Sequence, residues 1–128
     1  MNDPYELQRF IEAQNPVYDR VCAELKQGCK ASHWMWFIFP QLQGLGQSAM
    51  AKKYAIASAD EARAYLEHPI LGDRLRECTE LVNGVEGRSL SEIFGYPDDM
   101  KFRSCMALFA SVAADEGVFA EALRKYPE

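Results

Sequence analysis

Helix punctuation constrains this chain more than any other feature. Asp3-Pro4 and Asn15-Pro16 each set a capping side chain directly before a proline. Proline suits a first helical position, because the N–H it lacks has no partner there and its φ is already helical. Behind the first pair come Leu7, Phe10, Ile11 and Gln14, and behind the second Tyr18, Val21, Cys22 and Leu25, with Gly28 as a stop. Both sets run i, i+3, i+4, i+7, which is one face of a helix.

The pattern continues along the chain. Ser58 and Glu61 have capping-box spacing, as do Ser89 and Glu92; in such a box serine and glutamate each take a free backbone amide of the first turn. His68-Pro69 separates a stripe of Ala62, Tyr65 and Leu66 from one of Leu71, Leu75, Cys78 and Val82. Asp98 or Asp99 would cap a longer helix with Phe102, Cys105, Met106, Phe109 and Val112 inward, and Phe119, Ala122, Leu123 and Tyr126 mark the last. These signals predict helices over 4–14, 16–28, 59–67, 69–83, 99–113 and 117–126, with a very short one from Ser89 to Gly95. Trp34 to Phe39 has strand-like propensity, but no other segment offers it a ladder partner. The segment is read as a short buried helix. The fold class is therefore all-α, a single compact domain (1–128) of six to eight short helices.

Composition fits that class and removes several functions. With 128 residues and 48% apolar content the chain can bury one core. Its net charge of −5 argues against a nucleic-acid backbone as partner, since that needs clustered Lys and Arg. It leaves room for a small anion held by local cations. The longest apolar run, Trp34 to Phe39, is followed by Pro40 and is far too short to span a membrane. The N-terminus has neither the basic nor the apolar region of a signal peptide, so a cytoplasmic, reduced setting is expected. No two of Cys22, Cys29, Cys78 and Cys105 have C-x-x-C spacing. Cys22, Cys78 and Cys105 fall on apolar stripes, where a thiol packs as a small hydrophobe, and Cys22 and Cys29 are two turns apart. No disulfide is expected. Two scattered histidines make no metal site, and neither metal nor cofactor is expected.

Three constellations carry chemistry. The aromatic block holds Trp34, Trp36, Phe37 and Phe39. Such rings are foremost core material; alternatively they form a stacking wall for a planar ligand, with His33, Gln41 and Gln43 supplying directional hydrogen bonds. Next, Gly44-Leu45-Gly46-Gln47-Ser48-Ala49 matches the spacing of a dinucleotide fingerprint but lacks the preceding strand that fingerprint requires. It reads as a turn with Ser48 as an N-cap, or as a glycine loop leading to a phosphate-binding helix start. In the third, Asp98 with Lys101 and Asp99 with Arg103 can pair along one helix face. Set beside the aromatic block, they would provide carboxylates for acid–base work and a lysine able to act as nucleophile or phosphate clamp.

The run Ser32 to Gln41, followed by Gly44-Leu45-Gly46, resembles a widespread bacterial family classed as a domain of unknown function and sometimes mislabelled calpastatin. The likeness extends through Tyr54-Ala55-Ile56, His68-Pro69, Ile93-Phe94-Gly95 and Lys101-Phe102-Arg103. It implies an all-helical fold and brings no activity with it. Family members usually continue past the last helix into a short leucine-bearing tail, whereas this sequence stops at Tyr126-Pro127-Glu128; a pocket that the tail covers elsewhere is expected to be open here. A fainter, fold-level likeness is to the NADAR enzymes, which act on ADP-ribose N-glycosidic linkages. That likeness implies Lys101 for attack on the anomeric carbon, assisted by Asp98 or Asp99. The expected ligand is a nucleotide or ADP-ribose-type small molecule, bound by His33, Trp34, Trp36, Gln41, Gly44, Gly46, Ser48 and Arg103. The alternative is a non-catalytic interaction domain whose aromatic block is all core.

Overall fold

The structure is a computed structural model and describes residues 3–114 and 117–127. Among them nine α-helices follow one another: α1 (Gln8–Gln14), α2 (Tyr18–Gln27), α3 (Met35–Ile38), α4 (Ala49–Lys53), α5 (Ala59–Glu67), α6 (Leu71–Asn83), α7 (Leu90–Phe94), α8 (Asp98–Val112) and α9 (Gly117–Lys125). The fold is all-α. The one β pairing among the described residues is an isolated parallel bridge between Leu42 and Ile56.

Two long helices organise the rest. α6 packs against α2, α5 and α9, while α8 packs against α5, α7 and α9. Between them lie Leu71, Leu75, Val82, Phe102, Phe109 and Phe119, all almost fully buried. Aromatic rings run through this core in edge contact: Phe39 meets Phe94 and Phe102 at 5.9 and 5.0 Å, and Phe10 meets Tyr65 at 5.1 Å. Each such buried ring stabilises the fold by about 1.5–3 kcal/mol relative to exposure. The buried Gln14 amide ties three elements together, donating to the Phe37 carbonyl at 2.7 Å and to the Tyr65 hydroxyl at 3.1 Å while accepting from Arg74.

Several expected helix starts move inward. Asp3 does cap, accepting from the amides of Leu7 and Gln8 at 2.7 and 3.0 Å. Glu6, at φ 53°, breaks the first turn, so α1 begins only at Gln8. Asn15 stays helical as the end of α1 and makes no capping bond; α2 then starts at Tyr18. Asp98 and Asp99 lie inside the first turn of α8, behind Pro97, rather than capping it. His68 caps the junction as expected, its Nδ1 accepting from the amides of Ile70 and Leu71, but α6 starts at Leu71 rather than at Pro69. Ser89 and Glu92 form the full capping box, but Ser58 and Glu61 form half of one. There the Glu61 carboxylate turns instead to the Ala57 amide and to Arg9.

Gly28 ends α2 at φ 73°, and a Cβ there would also press on Val85 at 3.0 Å. Gly72 lets α6 approach the end of α5, where a side chain would collide with the Leu66 carbonyl. Cys22 departs from its expected core position and is only partly buried. No described helix is long and apolar enough to cross a membrane.

Candidate functional site

Pro40 ends the aromatic helix α3, and the chain then runs alongside residue 56. The Ile56 amide donates to the Gln41 carbonyl at 2.8 Å, and the Gln43 amide donates to the Ile56 carbonyl at 2.7 Å. Beyond this bridge, Gly44 to Gln47 bulge outward and Ser48 caps α4 by accepting from the Ala51 amide at 3.1 Å. The bulge, α3 and α8 enclose a cavity of about 440 Å³. Met35 and Phe39 contribute apolar wall, Trp36 and Tyr54 rings, and Gln41, Gln43 and Gln47 amides; Lys52 and Lys101 are its charged residues. Among the described residues no carboxylate lines it.

Lys101 reaches this cavity from the first turn of α8. Its Nζ lies 6.0 Å from the Trp36 ring centre and 3.6 Å from Asp98. Asp98 in turn holds Lys30 at 3.0 Å, and the Lys30 side chain is only 8% exposed. One carboxylate thus serves two ammonium groups and leaves a surplus of positive charge beside the cavity.

Two charged side chains, one an acceptor and one a donor, hold the frame. Glu24, on α2, takes the amides of Ala31 and Ser32, the Ser32 hydroxyl and the Trp34 indole N–H, at 2.7–3.2 Å. Burial pushes its pKa up, but the hydrogen bonds from Ser32, Ala31 and Trp34 outweigh that and hold the carboxyl below its ordinary value. On the other flank Arg9 donates to the carbonyls of Tyr5, Lys53 and Ala55 and to Glu61, at 2.6–3.0 Å, pinning the segment that carries Tyr54.

The cavity gathers Trp36, Phe39, Gln41, Gln43, Gly44, Gly46 and Lys101 from the residues singled out in the sequence. The others lie elsewhere. Trp34 is core, 1% exposed, and His33 is exposed and does not line the cavity. Ser48 is spent on its cap. Asp98 stands behind Lys101. Asp99 and Arg103 line a second groove of about 890 Å³ together with Arg88, Met100 and Tyr126, where Arg103 donates to the Tyr126 carbonyl. Lys52, Gln47 and Tyr54 were not singled out; only their polarity and nearness to the glycine loop marked them. Among the described residues no group of three or more His, Cys, Asp and Glu is placed to hold a metal.

Residues 4–128 match the family described as "Protein of unknown function (DUF1810)". The chain belongs to that family. Among solved structures, the conserved hypothetical protein Rv1873 from Mycobacterium tuberculosis superposes on this DUF1810 chain with a TM-score of 0.95. The two are 56% identical, and the match covers 97% of this chain and 89% of that one. A comparison with curated proteins gave no match. The span matched by the family includes the positions of all the cavity-lining residues.

Proposed function

We propose that the cavity binds a small anionic molecule with a planar aromatic part, of the nucleotide or ADP-ribose type. The observation that carries this reading is that Trp36 and Lys101 share a cavity lined, among the described residues, by two lysines and no carboxylate, in a chain of net charge −5. Against that acidic background a carboxylate-free basic pocket favours an anion. A half-buried indole offers a face for stacking, and three glutamine amides can read polar edges. The site favours binding over hydrolysis. Lys101 is engaged with Asp98 as a cation, which suits anchoring a phosphate better than attacking an anomeric carbon, and among the described residues no acid–base carboxylate lines the cavity.

Thermal shift with AMP, ADP-ribose and inorganic phosphate tests this. A ligand at 100 times its Kd stabilises by ~2.7 kcal/mol. Trp36→Ala should remove the shift from the nucleotides but not one from phosphate, whereas Lys101→Met should weaken both. If none of the three stabilises the protein, or both variants keep the full nucleotide shift, the reading fails.

A second reading, a non-catalytic interaction domain, has one observation in its favour. Tyr96, just ahead of α8, and Met100, in its first turn, are 79% and 58% exposed, and Met100 borders the second groove. Solvent-facing apolar side chains grouped in this way suit a protein contact.

A further inference from the structure

A second polar cluster lies between α2 and α6 and shares no residue with the cavity. Tyr18 and Cys22 stand one turn apart on α2, which packs against α6, the helix that carries Glu77 and Cys78. The Tyr18 hydroxyl donates to the Glu77 carboxylate. The Cys78 thiol, 1% exposed, approaches the Tyr18 oxygen at 3.9 Å. Cys22 is partly exposed and stands one helical turn beyond Tyr18, the residue whose oxygen Cys78 approaches. One thiol is therefore reachable from solvent, and a buried second thiol lies on the helix packed against it.

Their environments divide the pair further. The neighbouring Cys78 thiol is the largest influence on Cys22; burial opposes it, Tyr18 adds to it, and the balance is a thiol lowered to about 7. For Cys78 the Cys22 thiol, together with burial, acts in the opposite direction and raises it well above the ordinary thiol value. A reachable thiolate in front of a protonated thiol is the arrangement that oxidant-sensing cysteines use. The other two cysteines lack it. Cys105 is sealed in the core, where burial raises its pKa, and Cys29 is exposed with no thiol partner among the described residues.

We propose that Cys22 and Cys78 form a modification site for hydroperoxides, with Cys22 as the attacking thiol and Cys78 as the resolving one. In the first step the Cys22 sulfur attacks a peroxide oxygen. An S–O bond forms and the O–O bond breaks, and the departing oxygen takes a proton from solvent and leaves as water or an alcohol. The sulfur is oxidised to a sulfenic acid while the peroxide is reduced. In the second step the Cys78 sulfur attacks the Cys22 sulfur, the S–S bond forms and the S–O bond breaks. Hydroxide leaves with the Cys78 proton as water. Tyr18 touches the sulfur that loses this proton, and Glu77 accepts from Tyr18 in turn. The resulting bridge would tie α2 to α6, two helices already packed together.

The full chain treated with hydrogen peroxide, blocked with N-ethylmaleimide and examined by intact mass and non-reducing peptide mapping tests the proposal. A Cys29→Ser background prevents bridging between copies. The expected result is loss of the mass of two hydrogens and a linked peptide pair joining residues 22 and 78. In Cys78→Ala, dimedone should trap a persistent sulfenic acid at Cys22. Emptying a buried site can cost that variant its fold, so the map of the Cys29→Ser protein decides by itself. Recovery of both Cys22 and Cys78 as maleimide adducts after peroxide overturns the proposal, as does a sulfenic acid at Cys22 that never bridges while Cys78 stays blocked.

Discussion

The indole N–H of Trp34 donates to Glu24 Oε1 at 2.9 Å, and the same oxygen takes the amide of Ala31. Glu24 therefore orders the turn between α2 and α3 and orients the aromatic block. Removing the carboxylate leaves the indole N–H and two amides without their acceptor, at ~1–3 kcal/mol per unsatisfied group. Glu24→Ala should lower the urea midpoint well beyond the effect of an exposed Glu→Ala change. An unchanged midpoint would show that the turn holds without it.

Glu24 also sets an acid limb. Its folded pKa lies below the ordinary 4.5, so the folded state binds its proton more weakly than the unfolded chain does. The stabilisation is complete above about pH 4.5 and fades as the pH falls through the lowered folded value. Glu24→Gln should reduce stability near neutrality and flatten this part of the acid transition. Parallel denaturation curves for both proteins from neutral pH down to acid would contradict the assignment.

Two neighbouring tryptophans should behave differently. Trp34→Ala empties a buried aromatic site and should destabilise by ~3–5 kcal/mol, as should Phe109→Ala. Trp36 is only partly buried and faces the cavity, so Trp36→Ala should cost far less stability while removing nucleotide binding. Urea midpoints set beside ligand titrations read both effects, and equal midpoints for the two tryptophan variants would refute the contrast.

Lys30 governs the cavity without lining it. It holds Asp98 at 3.0 Å, closer than Lys101 does at 3.6 Å. In Lys30→Met, Asp98 is left to Lys101 alone and the surplus positive charge is gone. Nucleotide affinity should fall severalfold in calorimetry even though the substituted side chain touches no ligand, with ~2 kcal/mol of stability lost along with the charged contact. Unaltered affinity would separate Asp98 from the cavity's electrostatics.

Arg9 distributes its guanidinium over the carbonyls of Tyr5, Glu6, Lys53 and Ala55 and the Glu61 carboxylate. Lysine has neither the planar fork nor the donors to reproduce this. Arg9→Lys should therefore destabilise nearly as much as Arg9→Met in thermal unfolding, and full rescue by lysine would reduce the role of Arg9 to its charge.

The helices were legible in the sequence wherever their signals are local. The Gly28 stop, the Ser89–Glu92 box and the stripe from Leu71 to Val82 depend only on neighbours along the chain, and they stand where the spacing puts them. The Ser58 box is incomplete because Arg9, distant in sequence, draws Glu61 away. Trp34 and Trp36 are two positions apart and chemically identical. Which one becomes core depends on how Glu24 orients α3, and nothing near either residue signals that. Lys101 was readable as an edge residue because Phe102 beside it belongs to the inward stripe, whereas His33 was misjudged by its adjacency to the block. The Cys22–Cys78 contact arises only when α2 meets α6, so spacing rules for cysteines could not find it.

The pairing of Leu42 with Ile56 fastens the two ends of the segment between them to each other. Only the bulge from Gly44 to Gln47 is then left with little to order it, while the walls stand in place before any ligand arrives. Binding should cost little conformational entropy. Hydrogen exchange should find the Gln43 and Ile56 amides already slow in the free protein, and only the bulge slowed by ligand. Selectivity in such a site is a matter of fixed shape, so relatives in which the bulge differs in length should differ in what they admit while keeping the same helices.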